Sequence, residues 1–392
     1  MRIRGTARAV LDSGFWKPAS ARALYGTRPG RPRLTRASPA ERLAASAAWL
    51  QRAQDATGDG GVSWSYHLRR GWAPSYPETT GYIIPTLLQL AAATGNDDFQ
   101  QRAGRAVDFL AGVQLEDGAF PAGTLADTPR RPSVFNTGQI VNGLTAWYQA
   151  TGDEQVRRMA CAGADWLVGV QDDDGAWRRH GYMGYPVTYN AHVSCWLADL
   201  GVLVDEARYR SAAARQIEWV LTQRDPGSGW FERSGFSDAD HRAHRSVTHT
   251  YAYTVWGVLH SGLVLERDDF VAAARPSATA LADLLLAEDR LPGVVDSSWS
   301  GRASYACLTG NAQMALIWMR LSDLQPEQRF DQAAARALEL VADAQQLGAT
   351  NPGIRGGIPG SDPIWGAYMP NTLPNWATKF YLDALLAERR RS

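Results

Sequence analysis

The chain has 392 residues, 45% apolar and 20% charged, a globular composition that excludes a disordered polymer. Lys+Arg and Asp+Glu are both 40, so no net field draws it to nucleic acid or an anionic membrane. Three cysteines (Cys161, Cys195, Cys307) cannot build a disulfide framework, and no stretch reaches the roughly 18 apolar residues of a membrane span.

The N-terminal residues Met1-Arg2-Ile3-Arg4 and Arg8 are basic but lack the apolar core of a secretory signal, so a cytoplasmic chain is expected. Thr27 to Pro39 carries three prolines with Arg28, Arg31, Arg33 and Arg36. It reads as a solvated lead-in, giving an arm over 1–37 and one folded domain over 38–392.

From there the chain repeats. An amphipathic helix ends in Gln, followed by an acidic turn, Gly and an aromatic: Gln114 to Gly118 and Phe120, Gln171 to Gly175 and Trp177, Gln223 to Gly229 and Trp230. The first copy runs Trp49-Leu50 to Gln54 and Gly60-Gly61. Two copies are degenerate, one ending at Leu291-Pro292-Gly293 and one running from Gln345-Gln346 to Gly356-Gly357. The turns recur about every 58 residues, longer than most solenoid periods. A second helix follows each turn, starting near Glu78, Asn136, Asn190, Thr248, Thr309 and Asn375, with an apolar body such as Val255-Trp256-Gly257-Val258-Leu259. A helix apolar all round is buried and one with a charged face lies outside. The spacing therefore predicts six outer–inner hairpins in a closed, all-α ring with almost no strand.

The Trp/Phe-Leu-x3-Gln-x2-5-Gly-x-Trp pattern resembles the QW repeat of terpenoid cyclases, and the ring resembles the (α/α)6 toroid of six-hairpin glycosidases and several polysaccharide lyases. That resemblance, over about residues 38–390, implies the fold more than the chemistry. It implies that Gln114, Gln171 and Gln223 bond end groups of the neighbouring helix while Phe120, Trp177 and Trp230 cap the ring from outside. The segments Pro77-Glu78-Thr79-Thr80-Gly81-Tyr82, Cys307 to Met314 and Pro374 to Phe380 are similar to bacterial toroid proteins of surface-polysaccharide assembly, which implies a carbohydrate context.

Polar residues cluster at the inner-helix starts: Glu78, Gln139, Asn190, His192, His249, Asn311, Gln313 and Lys379. Helix N-termini carry partial positive charge and free N–H donors, so this rim suits an oxygen-rich or anionic ligand. Capping by Thr and Asn explains about one residue per helix but not the Glu, Gln, His and Lys beside it. The loops feeding the rim bring Trp64, Tyr66, Tyr182-Met183-Gly184-Tyr185 and Trp365, a lining that suits a sugar as well as a flat lipid or a carbocation.

Three chemistries compete. Proton abstraction beside a uronate carboxylate needs a base (His249 or His192), an acid (Tyr189 or Tyr253) and amides for the carboxylate and hydroxyls (Asn190, Gln139, Gln313). Tyr189-Asn190-Ala191-His192 resembles the Asn-x-His segment of toroidal alginate-type lyases. Glycoside hydrolysis would use Glu78 with Asp240, Asp296 or Asp362. Terpenoid cyclisation would need an Asp-x-Asp-Asp acid motif, and the nearest string is Asp238-Ala239-Asp240-His241. A metal at Asp238, Asp240, His241 and His244 competes with a plain solvated loop. The reading is a glycan-acting lyase or epimerase, with hydrolase, cyclase-like enzyme and non-catalytic glycan binder as alternatives. Asn311, Lys379, Trp64, Tyr66 and Trp365 complete the expected binding set. No cofactor, metal, nucleic acid or membrane span is expected.

Overall fold

The computed structural model describes residues 8–28, 37–182 and 184–391. Met1 to Arg4, Arg31, Arg33, Arg36 and Met183 lie outside the described residues. In chain order the helices are α1 (Pro18–Gly26), α2 (Pro39–Asp55), α3 (Pro77–Thr94), α4 (Asp97–Ala111), α5 (Val134–Thr151), α6 (Glu154–Gly169), α7 (Ala191–Leu203), α8 (Ala207–Thr222), α9 (Asp238–Arg242), α10 (Thr248–Val264), α11 (Asp268–Glu288), α12 (Leu308–Leu324), α13 (Gln328–Ala344) and α14 (Asn375–Arg391). Each long helix pairs with the next, so α2, α4, α6, α8, α11 and α13 are outer and α3, α5, α7, α10, α12 and α14 inner. The inner helices pack α3–α5–α7–α10–α12–α14, and α14 returns to α3. The chain is an (α/α)6 toroid, as expected.

Seven short strands lie in the outer-to-inner loops: β1 (Ser65–His67), β2 (Gly71–Trp72), β3 (Arg245–Val247), β4 (Val294–Asp296), β5 (Ala306–Cys307), β6 (Ser361–Asp362) and β7 (Thr372–Pro374). They pair antiparallel as β2-β1-β7, β3-β4 and β5-β6. β3, β5 and β7 run directly into α10, α12 and α14, so each small sheet fixes where an inner helix begins. Pairing of Tyr66 with Leu373 joins the first and last repeats.

Glycines set the width of the ring. A Cβ on Gly81 would sit 2.6 Å from the Ile140 backbone, and one on Gly138 2.5 Å from the Val193 side chain. One on Gly257 would strike the Ala191 carbonyl, and one on Gly310 would sit 2.6 Å from the Thr248 hydroxyl. Pro85, inside α3, removes the N–H that would meet the Gly81 carbonyl. Gly143 of α5 packs directly on that carbonyl, leaving no room for a side chain.

The repeat glutamines are structural, with one correction. Gln54, Gln114 and Gln171 each donate from Nε2 to a carbonyl of their own turn (Gly60, Gly118, Gly175) and to one within the next outer helix (Arg102, Met159, Ala212), at 2.8–3.0 Å. These second acceptors lie in the body of the helix, not at its end. The aromatics are also not external caps: Phe120, Trp177 and Trp230 are fully buried, and burial of a large apolar side chain contributes about 1.5–3 kcal/mol. Gln223, in a copy that looks regular, donates only to Thr222 Oγ1 among the described residues. Gln345, in a copy that looks degenerate, donates to the Arg42 and Gly356 carbonyls and to Ser46 Oγ, stitching the sixth repeat to the first.

The lead-in is docked as far as it is described. Thr27 is buried and its hydroxyl accepts from Ile364 N, Ser20 donates to the Leu68 carbonyl, and Asp12 lies 3.3 Å from His67. By length and composition α11 could cross a membrane, at mean hydropathy 1.3. In the fold it is the fifth outer helix, with Phe270, Ala274, Leu281 and Leu285 buried against the ring.

Candidate active site in the ring lumen

The inner helices point a ladder of side chains at the ring axis, one rung every three or four residues. The rungs are Glu78, Tyr82 and Thr86 on α3; Gln139 and Asn142 on α5; His192 and Trp196 on α7; His249, Tyr253 and Trp256 on α10; Gln313 and Leu316 on α12; and Lys379 and Asp383 on α14.

An aromatic plate projects into the lumen from α3, α10 and α14. Tyr82 and Tyr253 each lie 5.9 Å from the Phe380 ring, and the two tyrosines are hydrogen-bond partners. His192 and His249 flank Tyr253 at 4.2 and 4.5 Å between centroids. All five are buried.

The histidines are held alike. His192 Nδ1 lies 2.9 Å from Gln139 Oε1, and His249 Nδ1 lies 2.8 Å from Gln313 Oε1. An amide oxygen only accepts, so Nδ1 carries the proton and Nε2 keeps its lone pair. The Trp196 Nε1 contact to His192 Nδ1 at 3.4 Å is then packing, since both groups are donors. Burial lowers both pKa values: His249 falls to about 4, while His192 falls well below its usual value, helped by Lys379 and His249. Both are neutral at pH 7.

Their surroundings differ. His249 faces Tyr368 (5.6 Å) and Phe236 (6.5 Å), above the plate and towards the long loops. Trp376 donates to the Tyr368 hydroxyl at 2.9 Å and stacks on Trp64 at 6.0 Å, which brings Trp64 to this mouth. His192 sits against Trp196 (5.2 Å) and lines a 220 Å³ cavity below the plate.

Glu78 stands at the mouth, in the first turn of α3. Burial raises its pKa to about 7, partly offset by the Tyr76 hydroxyl. Its charge in turn pushes Tyr76, Tyr253 and Tyr189 upward, after burial, so Glu78 shares one electrostatic environment with them. Tyr189 is buried against Phe135 (5.6 Å) and Phe236 (6.1 Å).

Several expected roles change. Gln139 and Gln313 orient histidines through their amide oxygens, and the Gln139 Nε2, buried and unpartnered among the described residues, is left for a ligand. Asn190 Nδ2 is likewise buried and unpartnered. Asn311 Nδ2 donates to the Cys307 carbonyl and ties down its own helix start. Lys379 is no free cation: Nζ is 2.7 Å from Asp383 Oδ2, and Thr86 donates to Asp383 Oδ1 at 2.7 Å. Tyr66 is directed to the sixth repeat turn, accepting from Asn351 Nδ2 at 2.8 Å. Trp365 is half-buried against the core in the loop after β6.

Capping does not explain the rim. Among the inner-helix N-caps Tyr76, Ser133, Asn190, Val247 and Cys307, only Ser133 caps through its side chain. Thr80, Thr137 and Thr378 instead accept from the N–H of Val62, Phe120 and Ile358 in the repeat turns.

The loop acids offered as partners of Glu78 have other partners. Asp240 takes Ser237 and Arg245; Asp296 takes Ser298 and Arg302. Asp362 also has an interaction of its own. Of the possible metal cluster, His241 Nε2 meets the Gly235 carbonyl at 3.0 Å and His244 meets Glu232 at 2.9 Å. No group of three metal-ligating side chains occurs among the described residues.

Sequence reasoning missed Tyr82, Trp196 and Asp383. They lie four residues after Glu78, His192 and Lys379, so the i,i+4 helix rule carried the signal.

Known proteins share this architecture. Unsaturated glucuronyl hydrolase specific for heparin superposes with TM-score 0.72 at 15% identity, covering 90% of this chain and 98% of that one. Cellobiose 2-epimerase from Bacillus thermoamylovorans gives 0.68 at 13%, covering 89% and 97%. At such identities the likeness is one of fold. Squalene–hopene cyclase of Zymomonas mobilis is 21% identical over 231 residues, 54% of this chain. The chain spans about a third of the length of the curated cyclases it matches. A family model described as β-L-arabinofuranosidase, GH127 catalytic domain, matches residues 68–275, just over half of the sequence and including Glu78, His192, His249 and Tyr253. The chain belongs to that GH127 catalytic-domain family.

Proposed function

We propose that the protein is a glycan-acting acid–base enzyme that moves a proton at a sugar carbon beside a carboxylate, as a uronate epimerase or lyase does. What supports this reading is that His249, held through Nδ1 by Gln313, and Glu78, whose pKa burial pushes up to about 7, both stand in the first turn of an inner helix. His249 Nε2 takes the proton from C5 of the uronate, and the electron pair moves into the substrate carboxylate. The unpartnered amides of Asn190 and Gln139 donate to that carboxylate. Glu78 then delivers a proton, either to C5 from the other face (epimerase) or to the departing C4 oxygen (lyase). Tyr189 and Tyr253 are poorer acids than expected, because burial raises both hydroxyls well above the tyrosine range. An acid matched to pH 7 transfers a proton more readily, which favours Glu78. The ring from residue 38 carries the site, and 1–37 is a lead-in. The proposed partner is an oligosaccharide, with a cytoplasmic compartment as the default.

The family match favours a second reading, glycoside hydrolysis with Glu78 as the acid. It lacks a second free carboxylate among the described mouth residues, since Asp240, Asp296 and Asp362 are engaged elsewhere. The test is proton NMR in D2O with uronate oligosaccharides and an aryl β-L-arabinofuranoside. Deuterium at C5 supports proton transfer, and an unsaturated product marks a lyase. New reducing ends or aryl release without exchange replaces that reading with hydrolysis. Saturable binding with no turnover of either kind replaces both with a glycan binder.

A further inference from the structure

Below the Tyr82–Tyr253–Phe380 plate the lumen is not solid. A 220 Å³ cavity runs from His192, Gln313 and Lys379 to Gln89 and the exposed Arg390, at the short-loop end of the ring. That volume holds about seven waters at about 30 Å³ each, the scale of one sugar ring. Trp196 and Trp256 line it, both partly exposed. Their planes are fixed from behind: His260 stacks on Trp256 (5.6 Å, 11°), lies 5.3 Å from Trp196, and is held by Asp199 at 2.9 Å. Asn142 points its amide into the same space with no protein partner among the hydrogen bonds of the described residues. The Asp383 carboxylate stands beside it, oriented by Lys379 and Thr86.

We propose that this lower compartment is a second ligand site for a single sugar ring, entered from the face opposite the catalytic mouth. Indole faces offer C–H stacking to a pyranose or furanose, and a fixed carboxylate with an amide offers paired acceptance and donation to adjacent hydroxyls. The His260–Asp199 brace means the indoles need little ordering when the sugar arrives, which lowers the entropic cost of binding. Neither Glu78 nor His249 lines this space, so the inference does not depend on the reaction at the mouth.

The test is ligand-detected saturation-transfer NMR on the full chain with L-arabinose, D-glucose and D-glucuronate as separate probes. The expected result is saturable millimolar binding of at least one probe. Affinity should weaken at least tenfold in Asn142→Leu and in Trp256→Ala. Far-UV circular dichroism and melting verify that each variant folds; if Trp256→Ala does not, Asn142→Leu alone decides. Binding of no probe by the wild type overturns the proposal. So does binding unchanged in Asn142→Leu, which would put the sugar at the mouth.

Discussion

The two ends of the lumen differ in how they hold a carboxyl. At the mouth, burial raises Glu78 so that it keeps its proton towards pH 7. At the short-loop end, Asp383 is paired with Lys379 and accepts from Thr86, Asp199 is bonded to His260, and Arg390 donates to Gln89. Burial lowers both His249 and His192, so the histidines do not distinguish the two ends. Under the proposed reaction, Glu78 is where a state unfavourable to folding serves the chemistry.

The largest expected effect follows directly. Glu78→Gln should lower turnover by about 10²- to 10⁴-fold with binding retained, and His249→Gln should fall in the same range. His192→Gln, below the plate, should cost less than about tenfold. Equal losses at His192 and His249, read from kcat/KM, would erase the division between the halves. The pH profile sharpens it further. With His249 as base and Glu78 as acid, kcat/KM should rise as pH passes about 4 and fall as it passes about 7. Glu78→Gln should remove the upper limb, and a profile flat from pH 5 to 9 would sink the assignment.

Stability should respond with opposite signs. A carboxyl whose folded pKa is raised binds more protons folded than unfolded between its two pKa values, so stability falls as pH rises from about 4.5 to about 7. Glu78→Gln should therefore stabilise the protein at pH 8 by on the order of 1–2 kcal/mol. His249 works the other way: its folded pKa is depressed, so stability is lost as pH falls below 6.5 towards 4. Lys379→Met should destabilise, by about 3 kcal/mol, because it leaves the Asp383 carboxylate without its cation in a nearly closed lumen. Denaturant titration at pH 8 reads both, and a stabilising Lys379→Met would show that the lower half is strained too.

How much of this was legible beforehand depended on whether the information was local. Six hairpins, the inner-helix starts and the closed ring follow from one-dimensional periodicity, and they agree with the fold within about two residues. Bonding within the repeat does not: regular Gln223 makes no bridge among the described residues, while Gln345 in a degenerate copy makes two. The amide must meet a carbonyl on another helix, and only the helix-to-helix offset decides that. Likewise the rim residues were identifiable, but their division across a plate was not. Tyr253 and Phe380 belong to different repeats, and their approach depends on the rotation of each hairpin. Gln313 looked like a ligand for substrate because its hydrogen-bond donor, His249, lies 64 positions away.

The smallest predicted effect tests the division most directly. Thr86 Oγ1 donates to Asp383 Oδ1 at 2.7 Å from one turn below the plate, and Val has nearly the same shape without the hydroxyl. A hydrogen bond to a charged group contributes about 1.5–3 kcal/mol, but Asp383 keeps its bond to Lys379 and part of the loss is recovered from water in the cavity. Thr86→Val should therefore lower stability by about 1 kcal/mol and leave kcat/KM at the mouth within about twofold. A tenfold fall in turnover at that small loss of stability would mean that the Asp383–Lys379 pair acts through Tyr82 and Phe380 on the groups above. The plate would then couple the two halves of the lumen.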